Sequence, residues 1–349
     1  MKSVPPEVSI VIPNWNGVKH LDACLTSVLA QTYFPIDITV VDNGSSDDSI
    51  RLIRSRFPTV KLIENQTNLG FSAAVNLGIK ESSSPYVVLL NNDTRVENDW
   101  VEQLVSGMES TPQAALGASK ILLYEAPVII DSAGDGFSIF HGAGYNIGAG
   151  NLASRYRDTV LVASVCAGGA IYRRSLFEDI GYFDEDFFLI FEDVDVGLRA
   201  QAAGYDCVFI PKAVMYHKRG GSTDLTDRKI TARAWRNQIW VAVKNLPTTL
   251  LIVWAIFFTL RFSLNASIIV LAGVLRRIKR LVGLSADQAH DGTMSRKVLV
   301  SLYLENLRQG VMTGYAKRRQ TKNLRRINSI KMFLRLSRDS RPIENSPIK

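Results

Sequence analysis

A doubly wound α/β fold is predicted by three features of the first hundred residues. Short β-branched apolar runs recur at 8–12 (VSIVI), 36–41 (IDITVV) and 86–90 (YVVLL). Stretches with helical spacing lie between them. Each run ends in a polar turn: Pro13-Asn14, Asp42-Asn43-Gly44 and Asn91-Asn92-Asp93. Strands alternating with helices build a parallel sheet covered on both faces, and ligands of such sheets sit beyond the carboxyl ends of the strands, where these turns fall.

Each element carries its own signal. Leu21, Leu25, Val28 and Leu29 share one helical face after the first strand. Residues 45–57 read as a second helix with Ser45, Ser46 or Asp47 at its N-cap, 60–63 as a strand and 71–79 as a third helix. Residues 131–150 hold six glycines, too irregular for an element and too long for an ordinary connection, so a mobile binding loop is expected. Their three Gly-x-Gly pairs lack the strand-to-helix frame of a dinucleotide fingerprint. Regular structure is expected again at 160–167 and 187–191, in a helix from Asp193 to Gly204, and in a strand at 207–210 before Pro211.

With 349 residues, 46% of them hydrophobic and 21% charged, the chain is neither disordered nor collagen-like. Cys24, Cys166 and Cys207 lack metal or disulfide spacing and read as buried reduced thiols in a cytosolic compartment. The N-terminus has no apolar run long enough for a secretion signal. Charge divides the chain: residues 1–260 carry 22 basic and 28 acidic side chains, residues 261–349 carry 19 and 5. An acidic body followed by a basic tail implies different partners, the tail suiting an anionic membrane surface or nucleic acid. Its last part, 317–349, lacks aromatics beyond Phe333, so it offers nucleic acid no stacking and none is expected as a partner.

Residues 246–282 are long and apolar enough for a bilayer, interrupted by Arg261. Arg276, Arg277, Lys279 and Arg280 should stay on the same side as a body that uses cytosolic metabolites. Both ends on one side means a re-entrant hairpin or helices lying in the interface; the alternative is a soluble helical subdomain. Three regions are thus expected: a catalytic domain over 1–245, membrane-associated helices over 246–282 and a basic helical tail over 283–349.

Four clusters carry chemistry. Asp42 ends a strand and reads either as a carboxylate at the sheet edge, for a pyrimidine or ribose, or as a capping turn. Asn91-Asn92-Asp93 reads as a hard-oxygen site for Mg²⁺ or Mn²⁺, or as a turn. Glu192 and Asp193 open a helix after FFLIF, with Asp195 two residues on; they either complement the helix dipole or place one base in a cleft. His217 is a metal-ligand candidate, and Lys218 and Arg219 could neutralise phosphate.

The ordered set resembles inverting family 2 glycosyltransferases of the rhamnosyltransferase-like branch over about residues 7–222. The matching segments are VSIVIPNWN from Val8, VDNGSSD from Val41, Asn68-Leu69-Gly70-Phe71 with Asn76, LLNND ending at Asp93, AGGAIYRR from Ala167, and FEDVD from Phe191 with Arg199 and Gly204. The resemblance implies a GT-A fold with a mixed, mostly parallel sheet, a nucleotide-sugar donor, a divalent metal and inversion at the anomeric carbon. It implies Asp193 as catalytic base and Asp93 and His217 as metal partners. Asp42, Pro13, Asn14, Asn16, Asn68, Gly70, Asn76, Asn91 and Asn92 become donor-binding residues, and Gly168, Gly169 and Glu192 acceptor- or sugar-binding ones. The usual DxD stands as Asn91-Asn92-Asp93, which leaves one carboxylate. dTDP-rhamnose is the favoured donor, with UDP- or GDP-sugars open. A lipid-linked or cell-envelope glycan at the cytoplasmic face of the membrane is the expected acceptor. The alternatives are a sugar-1-phosphate nucleotidyltransferase, which should have a basic glycine-rich loop after the first strand, and a membrane-peripheral scaffold with a degenerate site.

Overall fold

A computed structural model of the chain describes residues 5–219, 228–261, 296–337 and 341–342. The first half alternates as expected: β1 (Val8–Asn14), α1 (Val18–Leu29), β2 (Ile36–Asp42), α2 (Ser49–Arg56), β3 (Lys61–Glu64), α3 (Phe71–Glu81) and β4 (Tyr86–Leu90). β5 (Thr94–Val96), α4 (Trp100–Glu109), β6 (Ala114–Leu123), β7 (Ala126–Ser132), β8 (Asp135–Ser138) and β9 (Ala143–Asn146) follow. Then come β10 (Val160–Val162), β11 (Gly169–Arg173), α5 (Arg174–Ile180), α6 (Glu192–Ala203), β12 (Asp206–His217) and α7 (Arg228–Asn245). A helix over 248–261, α8, precedes α9 (Arg296–Leu324), α10 (Ser329–Leu336) and β13 (Arg341–Pro342).

The main sheet runs β13-β10-β12-β6-β11-β4-β1-β2-β3. Along that path only β11 and β10 oppose the other strands. The sheet is therefore mixed, not the all-parallel one that the first hundred residues suggest alone. β4 shows why the strands are legible. All five of its side chains are buried, with Val87 and Leu89 in the core on one face and Tyr86, Val88 and Leu90 in the core on the other. A strand covered twice reads as an unbroken apolar run, and each such side chain contributes about 1.5–3 kcal/mol by leaving water.

Five expectations are corrected. α2 starts at Ser49 after Asp48, so Ser45 to Asp47 form the turn before it and not its cap. The glycine-rich stretch is not a loop: β7 pairs with β6, and β8 and β9 form a two-stranded hairpin. The strand expected at 207–210 continues through Pro211 to His217, with a register shift between Ile210 and Val214. Residues 187–191 are no strand but a turn in which Phe188, Ile190 and Phe191 have φ of 65°, 72° and 73°; β10 likewise stops at Val162.

A third apolar cluster joins the hairpin and α6 to the C-terminal helices through Phe137, Val194, Leu198, Trp240, Leu246, Trp254 and Met332. It runs across the boundary expected at residue 245. Inside it, the buried Asp195 of α6 accepts from Arg199 Nε at 2.9 Å and pairs with Lys244 Nζ of α7 at 2.9 Å. Burial alone would raise this carboxyl, but the two cations hold it down at about 2. Basic residues of the tail are spent in the same way on the acidic body: Lys317 on Asp184 and Asp186, Arg326 on Asp179, Arg335 on Asp206. The charge division thus serves intramolecular docking as well.

Among the described residues no helix is long and apolar enough to cross a membrane. α8 leaves Ile252, Ile256 and Leu260 exposed at 56%, 54% and 62%, one turn apart on one face. Residues 262–282 of the expected membrane segment lie outside the described residues.

Candidate active site

The ends of β1, β2, β4 and β12 and the start of β11 meet at one edge of the sheet. β5 pairs antiparallel with the end of β12, placing His217 opposite Thr94. Asp93, the preceding residue, therefore meets the imidazole: Nε2 lies 3.5 Å from Asp93 Oδ1, and Lys218 N donates to the Asp93 carbonyl at 2.9 Å. On its other side the ring contacts Asp131 Oδ2 from Nδ1 at 2.7 Å, and Arg219 pairs with Asp131 Oδ1. Asp131, the penultimate residue of β7, had no sequence signal beyond opening the glycine-rich stretch. It also accounts for Arg219, expected as a phosphate cation and found paired in the protein.

This arrangement fits a divalent cation. Asp131 can hold the Nδ1 proton, which turns the Nε2 lone pair towards Asp93, the carboxylate-backed imidazole typical of metal ligands. A second cluster, Asp135, Cys166 and Asp193, has its ligand atoms within 4.8 Å of one another. Its soft thiol suits Mg²⁺ or Mn²⁺ less well.

Asp193 stands at the start of α6, partly buried. Its Oδ1 accepts from Val194 N at 2.7 Å and its Oδ2 from Ala167 N at 3.3 Å. Burial raises its carboxyl, with these backbone donors opposing. Asp135, buried beside it, is pushed well above the ordinary carboxylate value by burial and then by the charge of Asp193. Glu192 is 5% exposed, with Oε2 lacking a hydrogen-bond partner. Burial, then the Asp193 charge, lifts it to about 8. The Ala167-Gly168 turn links this group to β4, because Gly168 O accepts from Asn91 N at 3.0 Å. A Cβ on Gly168 would lie 2.7 Å from Asn91 Nδ2, while one on Gly169 would strike Met215 Sδ at 2.0 Å.

The donor-side residues divide. Asn14 Nδ2 donates to Asp42 Oδ1 at 2.8 Å, and Asn14 Oδ1 accepts from Asn92 Nδ2 at 2.6 Å, tying three strand ends together beside Pro13. Of the two readings of Asp42, the capping turn holds: at the end of β2 it is fully buried and also accepts from Ser45 N and Oγ. Asn16 accepts from Ser46 N at 2.8 Å. Asn43, not singled out in the sequence, donates to Asn68 Oδ1 and to the Gly70 carbonyl. Asn76 lies apart from the strand ends, donating to Phe183 O and Glu185 Oε1 and accepting from Phe183 N; it braces the segment before α6.

That segment is strained. Left-handed backbone costs non-glycine residues about 1–3 kcal/mol each, and here it recurs at Phe188, Ile190 and Phe191. Phe188 O accepts from Phe71 N at 2.6 Å, at a place where a Cβ on Gly70 (φ 87°) would strike Phe188. From α7, the buried Asn237 Nδ2 contacts the carbonyls of Phe187, Leu189 and Ile190 at 3.1, 3.0 and 2.8 Å.

The sheet is mixed and GT-A-like, with acids and amides at its ligand edge, and the family match identifies the class as glycosyltransferase. Residues 9–181 match glycosyl transferase family 2, and the chain carries a domain of that family, similar to its rhamnosyltransferase members. It is 29% identical over 254 residues to the N-acetylglucosaminyl-diphospho-decaprenol L-rhamnosyltransferase of Mycobacterium tuberculosis (strain ATCC 25618 / H37Rv), across 64% of this chain and 78% of that protein. Staphylococcus aureus TarS 1-349 in complex with UDP shares the fold at TM-score 0.52 and 16% identity, over 90% of this chain and 91% of that one. GalNAc-T7 with UDP, GalNAc and Mn²⁺ shares it at TM-score 0.55 and 16% identity, over 68% and 48%.

The His217 environment yields a pH test. Burial pulls the imidazole down, but hydrogen bonds to Asp131 and Asp93 and their charges outweigh this and lift it to about 9. In metal-free protein the stabilisation is full below the ordinary 6.5 and is lost as pH rises through about 9. At about 1.4 kcal/mol per unit, this amounts to roughly 3 kcal/mol. Urea unfolding in EDTA should show wild-type stability falling more than that of His217→Gln between these pH values, by a difference of that order, because the raised Glu192 lowers both proteins alike up to about 8. An equal fall in both proteins contradicts the assignment.

Proposed function

We propose that this chain is an inverting, divalent-metal-dependent glycosyltransferase that moves a sugar, rhamnose first among the candidates, from a nucleotide-diphosphate donor to a hydroxyl of a lipid-linked or cell-envelope glycan. The position of Asp193 carries the reading. It is a partly buried, raised carboxylate beside the turn that touches Asn91 at the end of β4. The M. tuberculosis relative's name supports rhamnose and a lipid diphosphate acceptor. The bound UDP of TarS and of GalNAc-T7 supports a nucleotide at this edge and keeps UDP-sugars in contention with dTDP-rhamnose.

In this mechanism Asp193 takes the proton of the acceptor hydroxyl as that oxygen bonds to the anomeric carbon and the bond to the donor diphosphate breaks, in one displacement with inversion. A carboxylate raised towards working pH is the stronger base, and such bases contribute about 10²–10⁴-fold. Asp93 and His217 would hold Mg²⁺ or Mn²⁺, which when bound supplies neutralisation of the leaving diphosphate. With that group stabilised, no second acid is needed for departure. Glu192, protonated at neutral pH by its burial, can donate a hydrogen bond to a sugar oxygen. Pro13, Asn14, Asn16, Asn68, Gly70, Asn91 and Asn92 form the donor wall, with Asp42 acting through Asn14 and Ser45. Gly168 and Gly169, which pack closely against Asn91 and Met215, let the backbone here approach the sugar or acceptor.

We place the enzyme at the cytoplasmic face of the membrane, bound through the exposed face of α8. Exposed apolar residues at 252, 256 and 260 suit insertion among headgroups.

Asp193→Asn should lower transfer from dTDP-rhamnose by about 10²–10⁴-fold while dTDP binding, followed by calorimetry with Mn²⁺, stays unchanged. Undiminished turnover refutes the assignment. For the membrane, the Ile256→Glu/Leu260→Glu double variant should stay in the supernatant when wild type sediments with phosphatidylglycerol vesicles. Equal sedimentation refutes docking through α8.

A further inference from the structure

The carbonyls of the left-handed turn before α6 converge on one buried amide of α7. Asn237 is fully buried. Its amide nitrogen contacts the Phe187, Leu189 and Ile190 carbonyls at 3.1, 3.0 and 2.8 Å, and its oxygen accepts from Arg236 Nε and Nη2 at 3.0 and 2.8 Å. Side chains with a Cβ avoid left-handed backbone unless their surroundings impose it. Three such residues occur within four positions here, ending at Phe191, whose carbonyl accepts the first helical bond from Asp195 N at 3.0 Å. The orientation of Glu192 and Asp193 at the head of α6 therefore follows from the geometry of this turn. Its opposite edge is fixed from the donor side, where Phe188 O accepts from Phe71 N beside Gly70. Arg233 stacks over the Phe188 ring at 4.2 Å, so α7 contacts the turn from two successive helical levels.

We propose that Asn237 is a positioning residue for glycosyl transfer: from a helix outside the matched family segment, it holds the turn 187–191 overwound and thereby aims the Asp193 carboxylate. This rests on Asp193 being the base. The role is distinct from packing. An apolar residue of similar size would fill the same space, yet leave the Leu189 and Ile190 carbonyls without the donor that Asn237 supplies, Phe187 O keeping only its bond from Leu189 N at 2.8 Å, and the left-handed turn free to relax.

The test uses the full chain, with Asn237→Ala and the double variant Asn237→Ala/Ile190→Gly. Glycine adopts positive φ without the Cβ penalty, so a turn that no longer has its clamp should regain its shape more readily with glycine at 190. Hydrogen exchange over 187–195, read by mass spectrometry, should be faster by about tenfold in Asn237→Ala. Turnover, followed as Mn²⁺-dependent hydrolysis or transfer of dTDP-rhamnose, should fall about 100-fold in kcat with the donor KM little changed. The double variant should recover part of both. Unchanged exchange in Asn237→Ala overturns the proposal. Faster exchange with kcat retained overturns the positioning role. A kcat loss that glycine does not lessen also contradicts it. The exchange arm needs no sugar donor, so failure of the glycosyl-transfer reading would appear in the turnover arm of the wild type alone.

Discussion

The site depends on one imidazole held between two carboxylates. His217 ends β12, Asp93 follows β4, and Asp131 lies one residue before the end of β7, so this contact joins three separate segments at the ligand edge. Without it, the C-terminal part of β12 would have no polar reason to stop where β5 begins. Asp131 is held on its other oxygen by Arg219, so the imidazole meets a carboxylate that is itself fixed. The same contact gives the site its electrostatic character. The two acids and the ring together form a donor set that a divalent cation could share, with Asp131 acting from behind the ligand.

A second constraint lies on the other side of the edge. Asp193, Asp135 and Cys166 crowd one volume, and burial raises all three. Glu192, Asp131 and Tyr172 are the nearby titratable groups, and the local cations are already engaged: Arg219 on Asp131, Lys244 and Arg199 on Asp195. Excess acidity is therefore stored near Asp193 and not at Asp195, although the two lie two residues apart on α6. The difference is what each meets. Asp195 points into α7 and its lysine; Asp193 meets only backbone donors of its own helix and of Ala167. A carboxylate spared a cation retains basicity, as a base for an alcohol requires.

The parts legible in the sequence were those whose local pattern and tertiary role agree. β4 reads as a strand because both of its faces are covered, and Gly204, with φ of 94°, stops α6 where glycine alone is comfortable. Asp93, His217 and Asp193 were found through an ordered set of motifs, and the first two do meet. What stayed hidden depends on distant partners. Pro211 looked like the end of a strand, but it falls in the register shift of β12, where proline is tolerated. The hairpin β8–β9 has strands of four residues broken by glycines, so no period could emerge. The turn 187–191 reads as a regular apolar run because what shapes it, the contact with Asn237, lies some fifty residues on. Asp42 stayed open between two readings because a carboxylate after a strand looks alike whether it faces solvent or, as here, its own turn.

Diffraction at the manganese edge from crystals grown with Mn²⁺ and a nucleoside diphosphate tests the central contact most directly. The anomalous peak is expected between the Asp93 carboxylate and His217 Nε2, with Asp131 still bonded to Nδ1. A peak among Asp135, Cys166 and Asp193 instead, with His217 turned away from Asp93, would contradict the account.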